Sequence, residues 1–309
     1  MRNAYLATLY NLARDNKDIL ALVADNGAIV YDKFRKDFPG QFLNFGIAEA
    51  NMISVAAGLA NCGKIPFCYT ISSFLTMRAF EQIRVGLCLQ NMNVKLAGIG
   101  AGFVYSNLGP THHSTEDIAI MRALPNMTIL SPSDPLEAGY ITSAAAEIKG
   151  PVYIRLSVGG TPAVYKKEYN FQLGRAVTLR EGDDLTIISS GGIIYEVLKA
   201  VEELEALNIS VRLINMHTIK PLDEKAILKA AKETRAILTV EEHTIQGGLG
   251  SAVSEVISEN VKVPLKFKRL GLNNAFPAGY GDYDEMKEMN HLSKKDIVKA
   301  VKDLLEAEL

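Results

Sequence analysis

Short apolar runs alternate with longer segments of helical period along most of the chain. Such alternation is typical of α/β proteins, in which helices cover a mainly parallel sheet. The pattern is interrupted where Gly159-Gly160 and Pro162 fall close together, because Gly and Pro mark loops. We therefore predict two α/β domains, 1–158 and 177–309, joined by a linker at 159–176, each with a mainly parallel sheet flanked by helices.

The same pattern predicts the individual strands and helices of each domain. In the first domain we expect strands at 19–24, 41–44, 65–69, 94–99, 127–131 and 151–156, and helices at 3–16, 48–61, 74–90 and 114–122, with a further helix opened by Ser133-Asp134-Pro135. The strand at 151–156 is expected to be the last strand of this unit. In the second domain we expect strands at 185–189, 211–215, 237–240 and 265–270, and helices at 193–207, 223–234, 247–258 and 294–308.

Composition and charge exclude several classes of protein. The 309 residues carry 33 Lys and Arg against 35 Asp and Glu, a net charge of −2 without a block of like charge, which argues against a nucleic-acid or membrane-surface binder. The sequence contains neither a signal peptide nor an apolar stretch long enough to span a bilayer. The three cysteines, Cys62, Cys68 and Cys88, form no C-x-x-C pair and are interpreted as reduced core thiols. We expect a cytoplasmic protein.

Two glycine clusters resemble phosphate-binding loops only superficially. Residues 98–102 read G-x-G-x-G after a strand, but no helix begins there, and a phosphate-cradling turn needs the helix N-terminus as much as the glycines. Gly247-Gly248 does open a helix, and a structural role is the favoured interpretation. A nicotinamide or flavin site is therefore disfavoured.

Candidate chemistry comes from three places. Glu49 lies at the start of an otherwise apolar helix, so it either faces solvent or is buried with a partner and can share a proton. His112 lies on a loop fixed by Gly and Pro, where either function or capping is possible. Phe74, Met77 and Phe80 recur every third residue, the pattern of a core stripe or of a slot for a flat heteroaromatic ring. The remaining histidines, His217, His243 and His291, are interpreted as structural.

Several motifs, taken together and in order, resemble the C-terminal half of a transketolase over essentially the whole chain. They are F-G-I-A-E-A-N-M at 45–52, S-S-F-L-T-M-R-A-F-E-Q-I-R at 72–84, G-P-T-H-H-S-T-E-D at 109–117, S-P-S-D at 131–134, H-T-I-K-P-L-D at 217–223, V-E-E-H at 240–243 and G-G-L-G-S-A-V at 247–253. The resemblance implies a pyrimidine-binding domain followed by a transketolase C-terminal domain. Deoxyxylulose-phosphate synthase and the β subunits of 2-oxoacid dehydrogenases share this architecture.

The resemblance implies thiamine diphosphate as the cofactor and assigns residues to its aminopyrimidine ring. Glu49 matches the family glutamate that hydrogen-bonds the ring nitrogen N1′ and favours the imino form at the 4′ nitrogen, which makes it a catalytic residue. Phe74 matches an aromatic that stacks on the ring, and Met77 and Phe80 match neighbouring pocket positions. Asp25 matches an aspartate close to the cofactor.

The resemblance also assigns the substrate side of the site. His112 matches a catalytic histidine that faces substrate hydroxyls, Arg2 falls where the family has an arginine for the acceptor phosphate, and Arg155 retains the first arginine of an R-x-x-R-like stretch. We therefore expect His112, Arg2 and Arg155 to bind substrate.

Four positions depart from the transketolase pattern. Leu108 replaces an aspartate that reads a sugar hydroxyl, Gly100 a phosphate-binding histidine, Val158 the second arginine, and Ile29 a phosphate-contacting serine. Losing these contacts would weaken a sugar-phosphate site unless other groups replace them. The sequence therefore supports ketol transfer better than it supports a particular sugar.

The family's diphosphate and metal motif, G-D-G followed by a downstream Asn, is missing from this sequence, so no metal ligand is assigned. The resemblance then implies one subunit of a split transketolase, in which an N-terminal subunit holds the diphosphate with Mg²⁺ or Ca²⁺ and the assembly is an α2β2 heterotetramer acting on sugar substrates. Two alternatives stay open: a related two-carbon transferase or 2-oxoacid dehydrogenase-type β subunit with a different donor, and a regulatory subunit with a degenerate site.

Overall fold

Two sheets, one of seven strands and one of five, form the centres of the two domains. The structure is a computed structural model, and it describes residues 1–26, 29–158 and 160–307. Within these ranges the strands are β1 (Ile19–Val23), β2 (Phe42–Asn44), β3 (Ile65–Ile71), β4 (Lys95–Ile99), β5 (Thr128–Leu130), β6 (Val152–Leu156), β7 (Val177–Arg180), β8 (Leu185–Ser189), β9 (Val211–Asn215), β10 (Thr218–Lys220), β11 (Ala236–Thr244) and β12 (Lys266–Leu272).

The helices of the described residues cover both sheets. They are α1 (Arg2–Asp15), α2 (Asp32–Asp37), α3 (Glu49–Asn61), α4 (Phe80–Gln82), α5 (Asp117–Arg122), α6 (Pro135–Glu147), α7 (Ile194–Ala206), α8 (Glu224–Glu233), α9 (Leu249–Asn260), α10 (Tyr283–Met289) and α11 (Lys294–Glu306). One-turn 3₁₀ segments occur at Ile29–Tyr31, Pro39–Gln41, Ser106–Leu108 and Gly191–Ile193. The predicted helix 294–308 includes Glu308, which lies outside the described residues.

Both sheets are parallel except at one edge. The first has the order β10-β5-β6-β4-β3-β1-β2, and only β10 runs antiparallel to its neighbour. The second has the order β12-β11-β8-β9-β7, with β7 antiparallel to β9. Every residue of β1, β4, β6, β8 and β9 is buried, as expected of parallel strands covered on both faces. The predicted fold class is confirmed.

Side chains cap the starts of α6, as predicted from Ser133-Asp134-Pro135, and of α11. Asp134 caps α6, since its side chain accepts a hydrogen bond from the Glu137 N–H, and Pro135 takes the first helical position. Ser293 and Asp296 form a reciprocal capping box at the start of α11.

The segment predicted as one helix over 74–90 is not a regular α-helix. It consists of π-helical turns at Phe74–Arg78 and Ile83–Cys88, separated by the short α4. The Thr76 hydroxyl donates to the Ser72 carbonyl at 2.8 Å, a side-chain bond that competes with regular helical pairing. The hydrophobic period alone does not distinguish a widened helix from an α-helix. Such π-helical turns are frequent at functional sites.

Strand β6 is the last strand that the first domain contributes, but the first sheet contains one more strand that was not predicted. Strand β10 comes from beyond the linker and forms the edge of that sheet, with Thr218 opposite Leu130. The Lys220 ammonium extends this contact by donating to the carbonyls of Arg122 and Leu124 at 2.9 and 2.6 Å.

The predicted linker is irregular, and side chains of both domains hold it. Residues 160–176 contain no helix or strand, and Gly159 lies outside the described residues. The Asp134 carboxylate accepts hydrogen bonds from the Val164 and Tyr165 N–H groups at 2.9 and 3.0 Å. In the second domain, the Asp223 carboxylate accepts from the Ala176 N–H at 2.9 Å. The linker is therefore fixed at both ends.

A buried carboxylate, Glu137, joins the first domain, the linker and the second domain. It accepts hydrogen bonds from the hydroxyls of Tyr165 and Tyr169 at 3.0 and 2.6 Å. From the second domain, the Asn215 side-chain amide donates to both carboxylate oxygens at 2.9 and 3.0 Å. Because buried charge is costly unless it is hydrogen-bonded, this network ties the domains together.

The cysteines are only partly as predicted. Cys68 and Cys88 are buried free thiols, and burial raises the pKa of Cys88 to about 11. Cys62 is exposed just past the end of α3, so its interpretation as a core thiol is wrong. In the part of the chain that the structure describes, no helix is both long and apolar enough to cross a membrane.

Replacing Asn215 by Ala removes the amide that reaches Glu137 from the second domain. We expect the free energy of unfolding to fall by about 1.5–3 kcal/mol, the usual value for a hydrogen bond to a buried charge. Urea denaturation of the whole chain measures it, and Asn11→Ala on the exposed face of α1 serves as the control. Equal stability of the two variants would contradict this role for Asn215.

Candidate active site

The carboxyl ends of β1, β2 and β3 meet at one edge of the first sheet, where parallel α/β sheets bind their ligands. Asn44 at the end of β2 organises this edge. Its side-chain oxygen accepts hydrogen bonds from the Asp25 N–H at 3.1 Å and from the Gly46 N–H at 3.0 Å. The loop that leads into α3, and thereby Glu49, is thus held against the end of β1.

Glu49 is the first residue of α3, and its side chain is only 5% exposed. A carboxylate is favourable there because a helix N-terminus carries partial positive charge. One carboxylate oxygen, Oε1, lies 3.4 Å from Nη1 of Arg78, which is the hydrogen-bond partner of Glu49 among the described residues. Glu49 is therefore a nearly buried carboxylate with one partner, and that partner is half exposed.

Glu49, Arg78, Phe74, His112 and Tyr105 form a row of neighbouring side chains. The Arg78 guanidinium carbon lies 3.9 Å from the centre of the Phe74 ring, and the His112 ring is 5.1 Å from that ring at an interplanar angle of 65°. On its other side His112 faces Tyr105, with ring centres 6.4 Å apart. The structure thus brings together three predicted site residues, Glu49, Phe74 and His112.

Sequence reasoning missed two members of this row, Arg78 and Tyr105. Arg78 follows Phe74 by four residues, a spacing that places two side chains on the same side of a helix, so a signal for it was present. Tyr105 lies in the glycine-rich loop, where no period indicates which side chains point inward.

The other predicted cofactor residues lie around this row. Asp25 is exposed at the end of β1 with φ of 53°, a left-handed conformation that Asp tolerates. Met77 is 41% exposed, whereas Phe80 is half-buried and packs against the interior of the first domain. Phe80 therefore resembles the core stripe that the spacing also allowed.

Arg2 is the first residue of α1, and its side chain is half-buried. Burial raises the pKa of Tyr105, and a hydrogen bond with the Asn26 side chain and the positive charge of Arg2 oppose the rise.

Arg155, in contrast, does not face this site, and the prediction that it binds substrate is not supported. Its side chain is 3% exposed, and Nε donates to Asp117 Oδ2 at 2.8 Å. Nη2 donates to the carbonyls of Ser114 and Glu242 at 3.0 and 3.1 Å. Arg155 lies on β6, and its guanidinium points into the boundary between the two domains. There its N–H groups donate to Asp117, Ser114 and Glu242 of this chain.

Asp117 is the centre of this buried cluster. Its Oδ2 also accepts from the Tyr153 hydroxyl at 2.6 Å and from the Ser72 hydroxyl at 3.4 Å, and its Oδ1 lies 3.9 Å from Nε2 of His243 in the second domain. Burial opposes ionisation of Asp117, but the charge of Arg155 and the hydrogen bonds hold its pKa below the usual value. Because Ser72 precedes Phe74 by two residues, this cluster anchors the start of the aromatic segment.

The V-E-E-H motif of the second domain forms the opposite wall of this boundary. The Glu241 carboxylate accepts from the N–H groups of Leu249 and Gly250 at 2.7 and 2.9 Å, which caps α9. A Cβ on Gly248 would lie 2.1 Å from Glu241 Oε2, so the close approach requires glycine. The structural interpretation of Gly247-Gly248 is confirmed.

The positions that depart from the transketolase pattern carry apolar side chains or, at Gly100, have no space for a side chain. Leu108 is 47% exposed and Ile29 is 84% exposed, while Val158 is half-buried. Gly100 has φ of 86°, and a Cβ there would meet the Tyr105 ring at 2.2 Å, so Tyr105 takes the space of a larger residue. In the described ranges, no group of three or more His, Cys, Asp or Glu side chains could hold a metal ion.

Comparison with known proteins gives matches over both domains of the chain. Residues 1–162 match the family model "Transketolase, pyrimidine binding domain", and residues 174–297 match "Transketolase, C-terminal domain". The chain is 39% identical over 308 residues to the 6-deoxy-6-sulfo-D-fructose transketolase subunit SqwH of Clostridium sp. (strain MSTE9), and the match covers 99% of this chain and 94% of that protein.

Two solved structures are also similar. One, described as "Split gene transketolase, inactive beta4 tetramer", is 41% identical with a TM-score of 0.90, and the match covers 98% of this chain and 97% of that one. Transketolase from Campylobacter jejuni superposes with a TM-score of 0.80 at 21% identity, covering 98% of this chain but 46% of that one, a likeness of fold alone.

Breaking the Asp117–Arg155 pair tests its role at the domain boundary. Replacing Arg155 by Met strands the Asp117 carboxylate in the interior, and we expect the free energy of unfolding to fall by about 3–5 kcal/mol. Removing both charges in Asp117→Leu/Arg155→Met should cost less than Arg155→Met alone, because no charge is left unpaired. Denaturant titration compares the wild type, Asp117→Leu, Arg155→Met and the double variant, and a double variant as unstable as the sum of the two single variants would contradict this account.

Proposed function

This chain belongs to the transketolase family, and we propose that it is the subunit of a two-chain transketolase that holds the aminopyrimidine ring of thiamine diphosphate. Such an enzyme transfers a two-carbon ketol unit from a ketose to an aldose. In support, the chain covers 94% of a relative named as a transketolase subunit, but less than half of the single-chain Campylobacter enzyme.

The observation that carries this proposal is the nearly buried Glu49 carboxylate, which Arg78 links to the Phe74 ring. An aminopyrimidine needs a carboxylate for its ring nitrogen N1′ and a flat apolar surface for its face. Glu49 offers a carboxylate whose described partner, Arg78, is half exposed and can leave, and Phe74 offers a half-buried ring at the same place. The chemistry of these groups therefore fits the ring of the cofactor.

Each residue of the row then has a stated task. Glu49 would bind the aminopyrimidine at N1′ and would hold a proton at that atom, as a general acid–base group does. Phe74 fixes the plane of the ring, and Asp25 and Met77 stand beside it. When bound, thiamine diphosphate supplies the electron sink for breaking and forming the carbon–carbon bond.

The substrate binds on the outer side of the row. His112, with Nδ1 3.0 Å from the Thr111 hydroxyl, presents the rest of its ring to the sugar hydroxyls and can donate or accept a proton there. Arg2 supplies a positive charge for an acceptor phosphate. We infer that Arg155 has no part in binding, because it is enclosed between the domains.

We assign the diphosphate and its Mg²⁺ or Ca²⁺ to an N-terminal partner subunit, in an α2β2 assembly. Apolar side chains next to the site support an interface there: Ile47 is 76% exposed two residues before Glu49, and Met77 is exposed between Phe74 and Arg78. Exposed apolar groups at one place are typical of surfaces that a partner covers.

A donor other than a common sugar phosphate is the second candidate. Leu108 and Ile29 put apolar side chains, and Gly100 no side chain, where the family has polar ligands. The Clostridium relative is named for a sulfonated sugar, 6-deoxy-6-sulfo-D-fructose. The ketol-transfer chemistry is the same in both candidates, so only the donor differs.

Replacing Glu49 by Gln in the assembled enzyme should lower turnover by about 10²–10⁴-fold, since the amide cannot hold the proton against N1′. Cofactor binding and ketol transfer are measured on the same preparation, with the exposed Glu81→Gln as the control. An unchanged rate would instead favour a regulatory subunit with a degenerate site.

We expect the chain alone to be inactive, and activity to appear when it is combined with a partner that carries G-D-G and a downstream Asn. Xylulose 5-phosphate and 6-deoxy-6-sulfofructose are then compared as donors by kcat/KM. Normal activity with xylulose 5-phosphate would exclude the second candidate, and full turnover by this chain without a partner would overturn the split-enzyme proposal.

A further inference from the structure

We propose that the Arg78 guanidinium occupies the binding site of the aminopyrimidine ring, between Glu49 and Phe74, when no cofactor is bound, and that the cofactor must displace it. This inference rests on the proposed function, because it concerns the same Glu49–Phe74 site. Arg78 would then act as an internal substitute for the ring, which lowers the apparent affinity for the cofactor.

The geometry of Arg78 matches the two contacts expected of the ring. Its guanidinium is flat and lies with its central carbon 3.9 Å from the centre of the Phe74 ring, a stacking distance. At the same time Nη1 is 3.4 Å from Glu49 Oε1, so it offers the carboxylate an N–H donor. An aminopyrimidine bound between the same two residues would need that face of Phe74 and that carboxylate, and both groups cannot be there at once.

A reason for such a substitute follows from the burial of Glu49. Its side chain is 5% exposed, and a carboxylate in that position is unfavourable without a donor. Arg78 supplies the donor until the cofactor brings its own. The exchange replaces one flat N–H donor by another, so Glu49 is paired in both states.

Arg78 is also free to leave. Its side chain is 51% exposed, and Glu49 is its one ion-pair partner within the described residues, at a distance near the limit for a hydrogen bond. It lies in the π-helical turn Phe74–Arg78 rather than in a regular helix. Among the described residues, rotation of the side chain into solvent breaks the contacts with Glu49 and Phe74, and each is weak for a half-exposed arginine.

The test measures cofactor binding without turnover. Thiamine diphosphate with Mg²⁺ is titrated by calorimetry into the assembled two-chain enzyme, and its association rate is followed by stopped flow. For Arg78→Ala and Arg78→Gln we expect about three- to tenfold tighter binding and faster association, because the cofactor no longer has to displace Arg78. A tenfold change in affinity corresponds to about 1.4 kcal/mol. Arg84→Ala, an exposed arginine of the same segment, serves as the control and should bind as the wild type does.

Salt provides a second readout that a merely structural role would not move. The Arg78–Glu49 pair is half exposed and therefore screened by salt, so the difference between wild type and Arg78→Ala should shrink as ionic strength rises. In Glu49→Gln, removal of Arg78 should have a smaller effect, because the partner charge is absent.

The possible results distinguish failure of this proposal from failure of the proposed function. Weaker or unchanged binding in both Arg78 variants, with Arg84→Ala normal, overturns the substitution proposal and leaves the proposed function in place. Failure of the wild-type assembly to bind thiamine diphosphate at all overturns the proposed function itself. Circular dichroism of each variant checks that the fold is intact. If Arg78→Ala is unstable, Arg78→Gln still tests the proposal.

Discussion

The arrangement of the site depends on a buried ion pair, Asp117–Arg155, at the boundary of the two domains. A charge in the interior is tolerated only when its partners are fixed, so this pair restricts how β6, the start of α5 and the second domain can sit. Through the Ser72 hydroxyl, the same carboxylate holds the start of the aromatic segment. The position of Phe74 is therefore linked to a contact that the second domain completes.

The second domain contributes to the site through structure rather than through chemistry. Strand β10 extends the first sheet, Asn215 pairs with Glu137, and the Glu242 carbonyl accepts from Arg155. These are contacts of backbone and buried polar groups, which specify one relative placement of the domains. An active site at an edge of one sheet needs this constraint, because small displacements of reacting groups lower the rate.

The cluster around Glu49 combines two opposing requirements. Under the proposed function the carboxylate must be shielded to act on a proton, yet a shielded carboxylate needs a partner when no cofactor is bound. A half-exposed arginine on the same helical turn as Phe74 meets both, since it can pair with Glu49 and can leave. The exposed Ile47 and Met77 beside it show that the surface around this cluster carries apolar side chains.

The sequence by itself determined the fold class, most strands and the caps, because the buried runs and capping residues act locally, over a few residues. Its motifs also predicted Glu49, Phe74 and His112 as site residues, and the structure brings these three together. Only the tertiary structure decided that Arg155 points between the domains, that 74–90 is π-helical in part, and that β10 crosses into the first sheet. Those features depend on which distant side chains meet: a guanidinium reads the same in a sequence whether its partner is a substrate or a buried aspartate.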